Sequence, residues 1–491
     1  MPESLVRPPD LHDREWEWAD LAEFARASDR GATLAFVYGR RRQGKTFLLQ
    51  SLVEATGGLL FGGLQMTEAQ NLDRFAAAYG QFRGWPAGTA RFPHWDAAID
   101  AIFALGEDQS GPVTVVIDEF PYLLESTPGL PSLIQSALSP RGRARRSSRT
   151  RLVLCGSALT TMRGLLSGGA PLRGRAVKEL MIHPFGYRDA ARFWRVDDPD
   201  LAFRVHALVG GTPAYLDMSG GPPTGRRTFD RWVARALLGP GSAMFREGNV
   251  LLQAEVTDPT PFHSVLSAIA DGAHRRSEIA GVLHRADSAL SHPLAVLEHI
   301  QLIERVQDAL QPRRPVYHIA EPVIRLHQLI VRRNEAALVA GHGSAVWESA
   351  ADTVAAKIYG PHLELLARQW CLLHAATGTL GGRPNQVRPA TIPCREHRQG
   401  HEIDVVASSA PAFEPERILA IGEAKAGVKP VPAAELARLD HLRQLLPTTL
   451  VAEQPRLLLF ARAGFSPELR RAAAARADVE LVDMQRLYAG D

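Results

Sequence analysis

Cysteine is scarce. Three residues, Cys155, Cys371 and Cys394, are spread over 491 positions. They form neither a CxxC nor another metal-ligand spacing, which argues against a disulfide framework and for buried thiols in a reducing compartment. Long apolar runs are missing too: no window approaches the roughly 18 uninterrupted apolar residues of a membrane-spanning helix. The start, MPESLVRPPD, has acidic residues and proline where a secretory leader has a basic stretch and an apolar core. The chain reads as cytoplasmic, with no membrane partner. An excess of one charge is also lacking. The formal net charge is +3, so any basic surface that could meet nucleic acid must be local. Lysine is much rarer than arginine, a bias consistent with phosphate-binding surfaces or with coding preference alone.

Hydrophobic residues make up 45% of the chain, enough for sizeable cores, and the length suggests about three domains. Thr33–Tyr38 (TLAFVY), Val113–Ile117 (VTVVI) and Arg151–Cys155 (RLVLC) read as buried strands separated by helical stretches. That alternation predicts a parallel α/β sheet. From about Pro184 to Leu238 the pattern is mainly helical, interrupted at Gly210–Pro213. Pro261–Ala320 predicts three short helices, the third over Ser291–Val306, then a turn and the strand VYHIA, the order of a winged helix. Ala336–Ser349 is rich in small residues and predicts a linker. The helix LELLARQWCLLHAA and strands at EIDVVA, RILAIGEAK and RLLLFAR then predict a smaller α/β domain.

Between the first strand and the next helix stands Gly39-Arg40-Arg41-Arg42-Gln43-Gly44-Lys45-Thr46. It fits GxxxxGK[ST] in the strand–loop–helix setting that the chemistry requires. Glycines let backbone N–H groups close around phosphate oxygens, and the helix N-terminus favours negative charge. Gly39, Arg42, Gln43, Gly44 and Phe47 would frame the phosphates, Lys45 reach the β- and γ-phosphates, and Thr46 ligate magnesium. Asp118-Glu119 follows four apolar residues at a strand end. Asp118 suits a place on the same metal and Glu119 the orientation of an attacking water. Ser157 ends the third strand, either sensing the γ-phosphate or capping a helix. The expected ligands are ATP and Mg2+.

Taken with GRRRQGKT and VVIDEF, the landmarks Asp13-Arg14-Glu15, CGSA, PLRGR, GGTPAYL and IAEPVIRLHQ stand in an order that resembles prokaryotic AAA+/STAND-type ATPases of the archaeal ATPase family. The resemblance covers about Leu11 to Ala336. It implies that Pro213 meets the adenine, that the winged helix packs as a lid, and that Arg173 or Arg175 sits near phosphate. The run Arg141–Arg151 (RGRARRSSRTR) reads either as a solvated charged loop or as a grip on a nucleic-acid backbone. The third winged-helix segment offers chiefly His292 and Gln301 for base contacts, which argues against sequence-specific readout.

Near the C-terminus, Asp404 lies in one expected strand, and Glu423 and Lys425 share a face of the next. Two carboxylates can hold magnesium through oxygen, and a lysine can orient the water that attacks a phosphodiester. The spacing resembles the PD-(D/E)xK nuclease core, with Glu364 matching its upstream acidic residue. Ile403 stands where that pattern usually has proline. A nuclease-like domain of unknown function 234 commonly follows the ATPase in this family. The resemblance implies residues 1–183 as the P-loop core, 184–254 as helical lid, 255–335 as winged helix, 336–354 as linker and 355–491 as a restriction-endonuclease-like domain. Two functions follow: a Mg-dependent ATPase coupled to non-sequence-specific DNA binding or cleavage, or an ATP/ADP signalling or assembly switch with an inactive C-terminal interaction domain. Homo-oligomers or a regulatory protein partner are compatible with either.

Overall fold

Burial on both faces explains the first strand, β1 (Thr33–Tyr38). Leu34, Ala35, Phe36 and Val37 are all fully buried. Leu34 and Phe36 join a cluster with Phe75, Trp95 and Ile102, whereas Ala35 and Val37 face Trp18, Leu21, Leu48 and Leu52. Alternate side chains point to opposite faces, so a sheet covered on both sides needs a continuous apolar run. In the computed structural model, which describes residues 5–107, 109–394, 397–410, 415–451 and 454–491, β1 is joined by β2 (Leu59–Gly62), β3 (Val113–Asp118), β4 (Thr150–Gly156) and β5 (Ala176–Met181). The order is β2-β3-β4-β1-β5 and every pairing is parallel. Residues 1–4, part of the stretch read for a leader, lie outside the described residues.

The chain falls into two compact units, Met1–Pro184 with Thr212–Ala214, and Phe185–Gly211 with Tyr215–Asp491. The second begins with helices and then has three more, Thr260–Asp271, Arg276–Leu283 and Ser291–His299, ahead of a hairpin of β6 (Ile303–Val306) and β7 (Val316–Ile319). The helix expected over Ser291–Val306 therefore stops early. Gln301 takes a left-handed conformation (φ 59°), and Ile303 to Val306 pair with β7 instead. The 336–354 stretch, expected as a linker, is helical over Glu335–Val339 and Gly343–Ser349. Leu338, Val346 and Trp347 are buried, and Trp347 Nε1 donates to Asp230 at 2.9 Å. Small residues there serve close helix packing.

A second sheet closes the chain: β8 (Gln386–Cys394), β9 (Gln399–Ser409), β10 (Arg417–Lys425), β11 (Arg456–Ala461) and β12 (Val479–Asp483). It is mixed, antiparallel from β8 to β10 and parallel from β10 to β12. Opposite Pro389, β9 carries the extra residue of a β-bulge: Arg388 pairs with Val406, but Ala390 pairs with Ile403. Proline has no N–H for the ladder, so a bulge there loses little. The bulge puts Asp404 and Val405 across from one residue. No described helix is long and apolar enough to cross a membrane.

The basic run is divided by the fold: Arg151 is buried, whereas Arg141, Arg143, Arg145 and Arg146 are exposed. Arg143–Ser147 is a short helix, Arg143 ion-pairs with Glu107, and Arg145 donates to Ala32 O at 3.0 Å. Arg151 is fully buried, donating to the carbonyls of Ala27 (3.0 Å), Gly31 (2.8 Å) and Asp29 (2.7 Å) and so fastening the turn before β1. Replacing it as Arg151→Met leaves those carbonyls without their donor, at about 1–3 kcal/mol each where buried. The expected outcome is a loss of about 3 kcal/mol or more in the urea unfolding of the full chain; wild-type stability in the variant contradicts this structural role.

Candidate nucleotide site and a second acidic site

The loop after β1 is shaped by two positions. Gly44 precedes the helix Lys45–Thr56 at φ 82°, a conformation glycine adopts without strain. A Cβ on Gly39 would stand 2.4 Å from Ile182 O and 2.8 Å from Gln43 Oε1, so no side chain fits there. Lys45 is buried, and its ammonium donates to Gly39 O (2.9 Å) and Arg40 O (2.8 Å). Burial pushes its pKa down, against the pull of the neighbouring Glu119 and Asp118. Gln43 is 1% exposed, and among the described residues its carboxamide has no hydrogen-bond partner. Its backbone carbonyl takes a bond from Arg14, which also pairs with Glu17 at 2.9 Å. Phe47, in the first turn of the helix, is exposed.

The sheet order puts β4 between the strands that end in the P-loop and in Asp118, so three chain ends converge. Thr46 Oγ1 donates to Asp118 Oδ2 at 2.7 Å, and Asp118 Oδ1 accepts from Glu119 N at 2.9 Å. The Ser157 hydroxyl donates to both oxygens of Glu119, at 3.1 and 3.0 Å. Ser157 does not cap the helix that follows it, whose N-cap is Ala158. Glu119 itself is left-handed (φ 48°), a strained state for a side chain of this size that surrounding contacts must hold. Sequence reasoning missed Cys155. It is fully buried beside Asp118, and burial first, then the Asp118 charge, raises its pKa well above the ordinary thiol value. It stays a neutral thiol against the carboxylate.

Pro213 lies in Thr212–Ala214, the three residues that belong with the P-loop unit although both flanks belong to the other. Ala214 N approaches Arg42 O at 3.5 Å. Arg173 donates to Gly168 O at 2.7 Å on the surface. Thr46 and Asp118 present hard oxygen donors side by side, the set that suits magnesium.

In the second unit, Asp404 lies beside β10, and Glu364 and Glu423 are both near enough to act on its charge. Glu364 comes from the helix Gly360–Leu373, Asp404 from the bulge of β9 and Glu423 from β10. Asp404 Oδ2 accepts from Ala424 N at 2.8 Å. Burial, then Glu364 and Glu423, holds the Asp404 carboxyl well above the usual carboxylate range. Burial likewise raises Glu364, with Arg368 pulling the other way. Lys425 Nζ donates to Glu423 Oε1 at 2.8 Å and lies 3.4 Å from Glu435. Burial works to lower its pKa, but these carboxylates outweigh it and leave the ammonium raised. Arg438, which the sequence reading missed, ion-pairs with Glu423 at 2.6 Å. Its only signal was its place, three residues after Glu435 on a helix packed over the sheet.

A carboxyl with a raised folded pKa contributes stability that is full below its unfolded value, near about 4, and is lost as pH rises through the folded value. Asp404→Asn keeps an acceptor for Ala424 N–H and removes the charge. Its thermal midpoint, measured without divalent cations, should exceed wild type by a margin that widens from pH 5 to pH 8. The buried histidines His206 and His362, whose pKa values burial lowers, titrate in both proteins and drop out of that difference. A margin constant with pH contradicts the assignment.

Comparison with known proteins agrees with the P-loop geometry. Residues 11–218 match the family model described as an ATPase domain predominantly from Archaea. An uncharacterized protein of Methanocaldococcus jannaschii is 25% identical over 333 residues, 67% of this chain and 70% of that protein. Similar solved structures include the ORC2 protein of Aeropyrum pernix in ADPNP and ADP complexes, with TM-score 0.39 and 17% identity over 71% of this chain and 98% of that one. Cdc6p of Pyrobaculum aerophilum has TM-score 0.34 and 14% identity, over 71% and 97%. Residues 11–218 thus hold a nucleotide-binding ATPase domain similar to those found predominantly in Archaea.

Proposed function

We propose that this chain is a magnesium-dependent ATPase whose second unit binds or cuts DNA without sequence specificity. Support for the DNA part comes from Asp404, which bonds Ala424 N between Glu423 and Lys425 and feels the charge of both Glu364 and Glu423. Carboxylates from three separate elements repel one another there, at an electrostatic cost that a bound cation would relieve.

In the first unit the P-loop amides and Lys45 bind the phosphates, and Pro213 meets the adenine. Thr46 and Asp118 would hold magnesium, which would supply positive charge against the phosphates. Glu119, steered by Ser157, orients the water. Changing Glu119→Gln keeps size and hydrogen bonding but loses the charge. Turnover should fall about 100-fold or more, with nucleotide affinity, measured by a fluorescent ATP analogue, within about threefold of wild type. Undiminished turnover removes Glu119 from this role.

In the second unit Asp404, Glu423 and Glu364 would hold a divalent cation, which lowers the pKa of water and polarises the phosphodiester. Lys425 keeps a proton donor at the attacked phosphate, and Arg438 steadies Glu423. Supercoiled plasmid incubated with magnesium and the full chain should be nicked by wild type and left intact by Asp404→Ala and Glu423→Ala. Equal nicking by all three rules out this site as its source.

One observation favours the alternative, an ATP/ADP switch with a non-cutting second unit. The Thr212–Ala214 crossover ties the chain of the second unit to the nucleotide unit at Pro213, so nucleotide binding could bias the segments on either side. The helices and hairpin of residues 255–335 then serve as a winged-helix lid. That reading also fits a homo-oligomer or a regulatory protein partner.

A further inference from the structure

The three cysteines carry no metal-ligand spacing among themselves, yet the fold gives one of them ligand neighbours. Cys394 ends β8, His397 stands in the turn that follows, His401 lies on β9, and His441 lies on the helix Ala434–Gln444. One ligand atom from each falls within 4.8 Å of all the others. Cys394 Sγ is 3.2 Å from His397 Nδ1 and 3.6 Å from His441 Nε2, and His401 Nε2 is 3.3 Å from His397 Nδ1. The three rings meet nearly edge to face, with interplanar angles of 82° and 87°. From these positions we infer a zinc site of one thiolate and three imidazoles, closed by four protein ligands and structural in role.

Hydrogen bonding alone satisfies this group poorly. His397 Nδ1 faces both the thiol and His401 Nε2, but one ring nitrogen offers either one proton or one lone pair. A central cation takes a lone pair from each of the four. Zinc–sulfur and zinc–nitrogen bonds of about 2.3 and 2.0 Å in a tetrahedron put ligand atoms about 3.3–3.6 Å apart, close to the separations seen. Thiolate and imidazole together favour zinc among available cations, with copper the nearest competitor. Cys394, His397 and His401 follow a C-x2-H-x3-H spacing in one hairpin, and His441 fastens that hairpin to a helix. One turn earlier on the same helix is Arg438, paired with Glu423. The zinc would therefore position the cationic flank of the acidic site without touching it.

The test uses the full chain, purified without chelator and with any tag removed, and reads metal content by mass spectrometry. The expected result is about one zinc per chain, retained in Asp404→Ala. Content should fall at least about tenfold in His441→Ala and in His397→Ala, the second on an exposed residue where folding is not at stake. Cobalt substitution should give the thiolate charge-transfer band and the strong visible bands of a tetrahedral ion, both lost in Cys394→Ser. Metal-free wild type, copper in place of zinc, or full zinc in both histidine variants overturns the assignment. Because the readout is the metal itself, failure of the DNA-cutting proposal leaves this one standing.

Discussion

The position of β4 between β1 and β3 governs the nucleotide site. Parallel strands end on the same side, so the P-loop, Ser157 and the Asp118–Glu119 pair emerge together only if that order holds. Each strand must then be apolar on both faces, and the full burial of Leu34 through Val37 follows from it. Local chemistry completes the arrangement: Thr46 on Asp118 at 2.7 Å, and Ser157 on the backbone-strained Glu119.

Much of this was legible in the sequence, for a physical reason. Buried parallel strands announce themselves as unbroken apolar runs, and phosphate binding forces glycine and lysine into fixed places. That Glu423 and Lys425 share a face of β10 was readable because strand periodicity fixes which way side chains point, but the bulge at Asp404 was not. What escaped was contact between segments distant in sequence. Nothing local in the chain says that Cys155 lies against Asp118, or that Arg438 reaches Glu423. The third helix of residues 255–320 was overextended because LEHIQLIERV keeps apolar residues at helical spacing. Its end is set by the left-handed Gln301 and the pairing of Ile303–Val306 with β7, a long-range demand that periodicity does not record. Likewise, the small residues after Ala336 signalled slack chain but permit close packing around Leu338 and Trp347.

The arginine excess illustrates how composition misleads. Arg151 looks like the end of a basic tract, yet it is a fully buried staple for three backbone carbonyls. Arginine suits such a role because its planar fork offers several fixed donors and stays charged. Arg14, which bonds the Gln43 carbonyl, is likewise buried, while Arg438 beside Glu423 is half-buried. A near-neutral chain can thus place part of its arginine excess in internal contacts.

The bulge opposite Pro389 has a consequence for comparing such chains. Side chains alternate along a strand, so the extra residue at Asp404–Val405 acts as a frame shift confined to β9: inward and outward positions on its two sides obey opposite parity. A relative lacking that residue would need a one-position gap inside a strand, where gaps are ordinarily forbidden. Aligned without it, its counterpart of Asp404 would be read on the wrong face. The acidic trio can therefore persist in relatives whose linear motif looks broken, and its spacing there should be counted from the bulge.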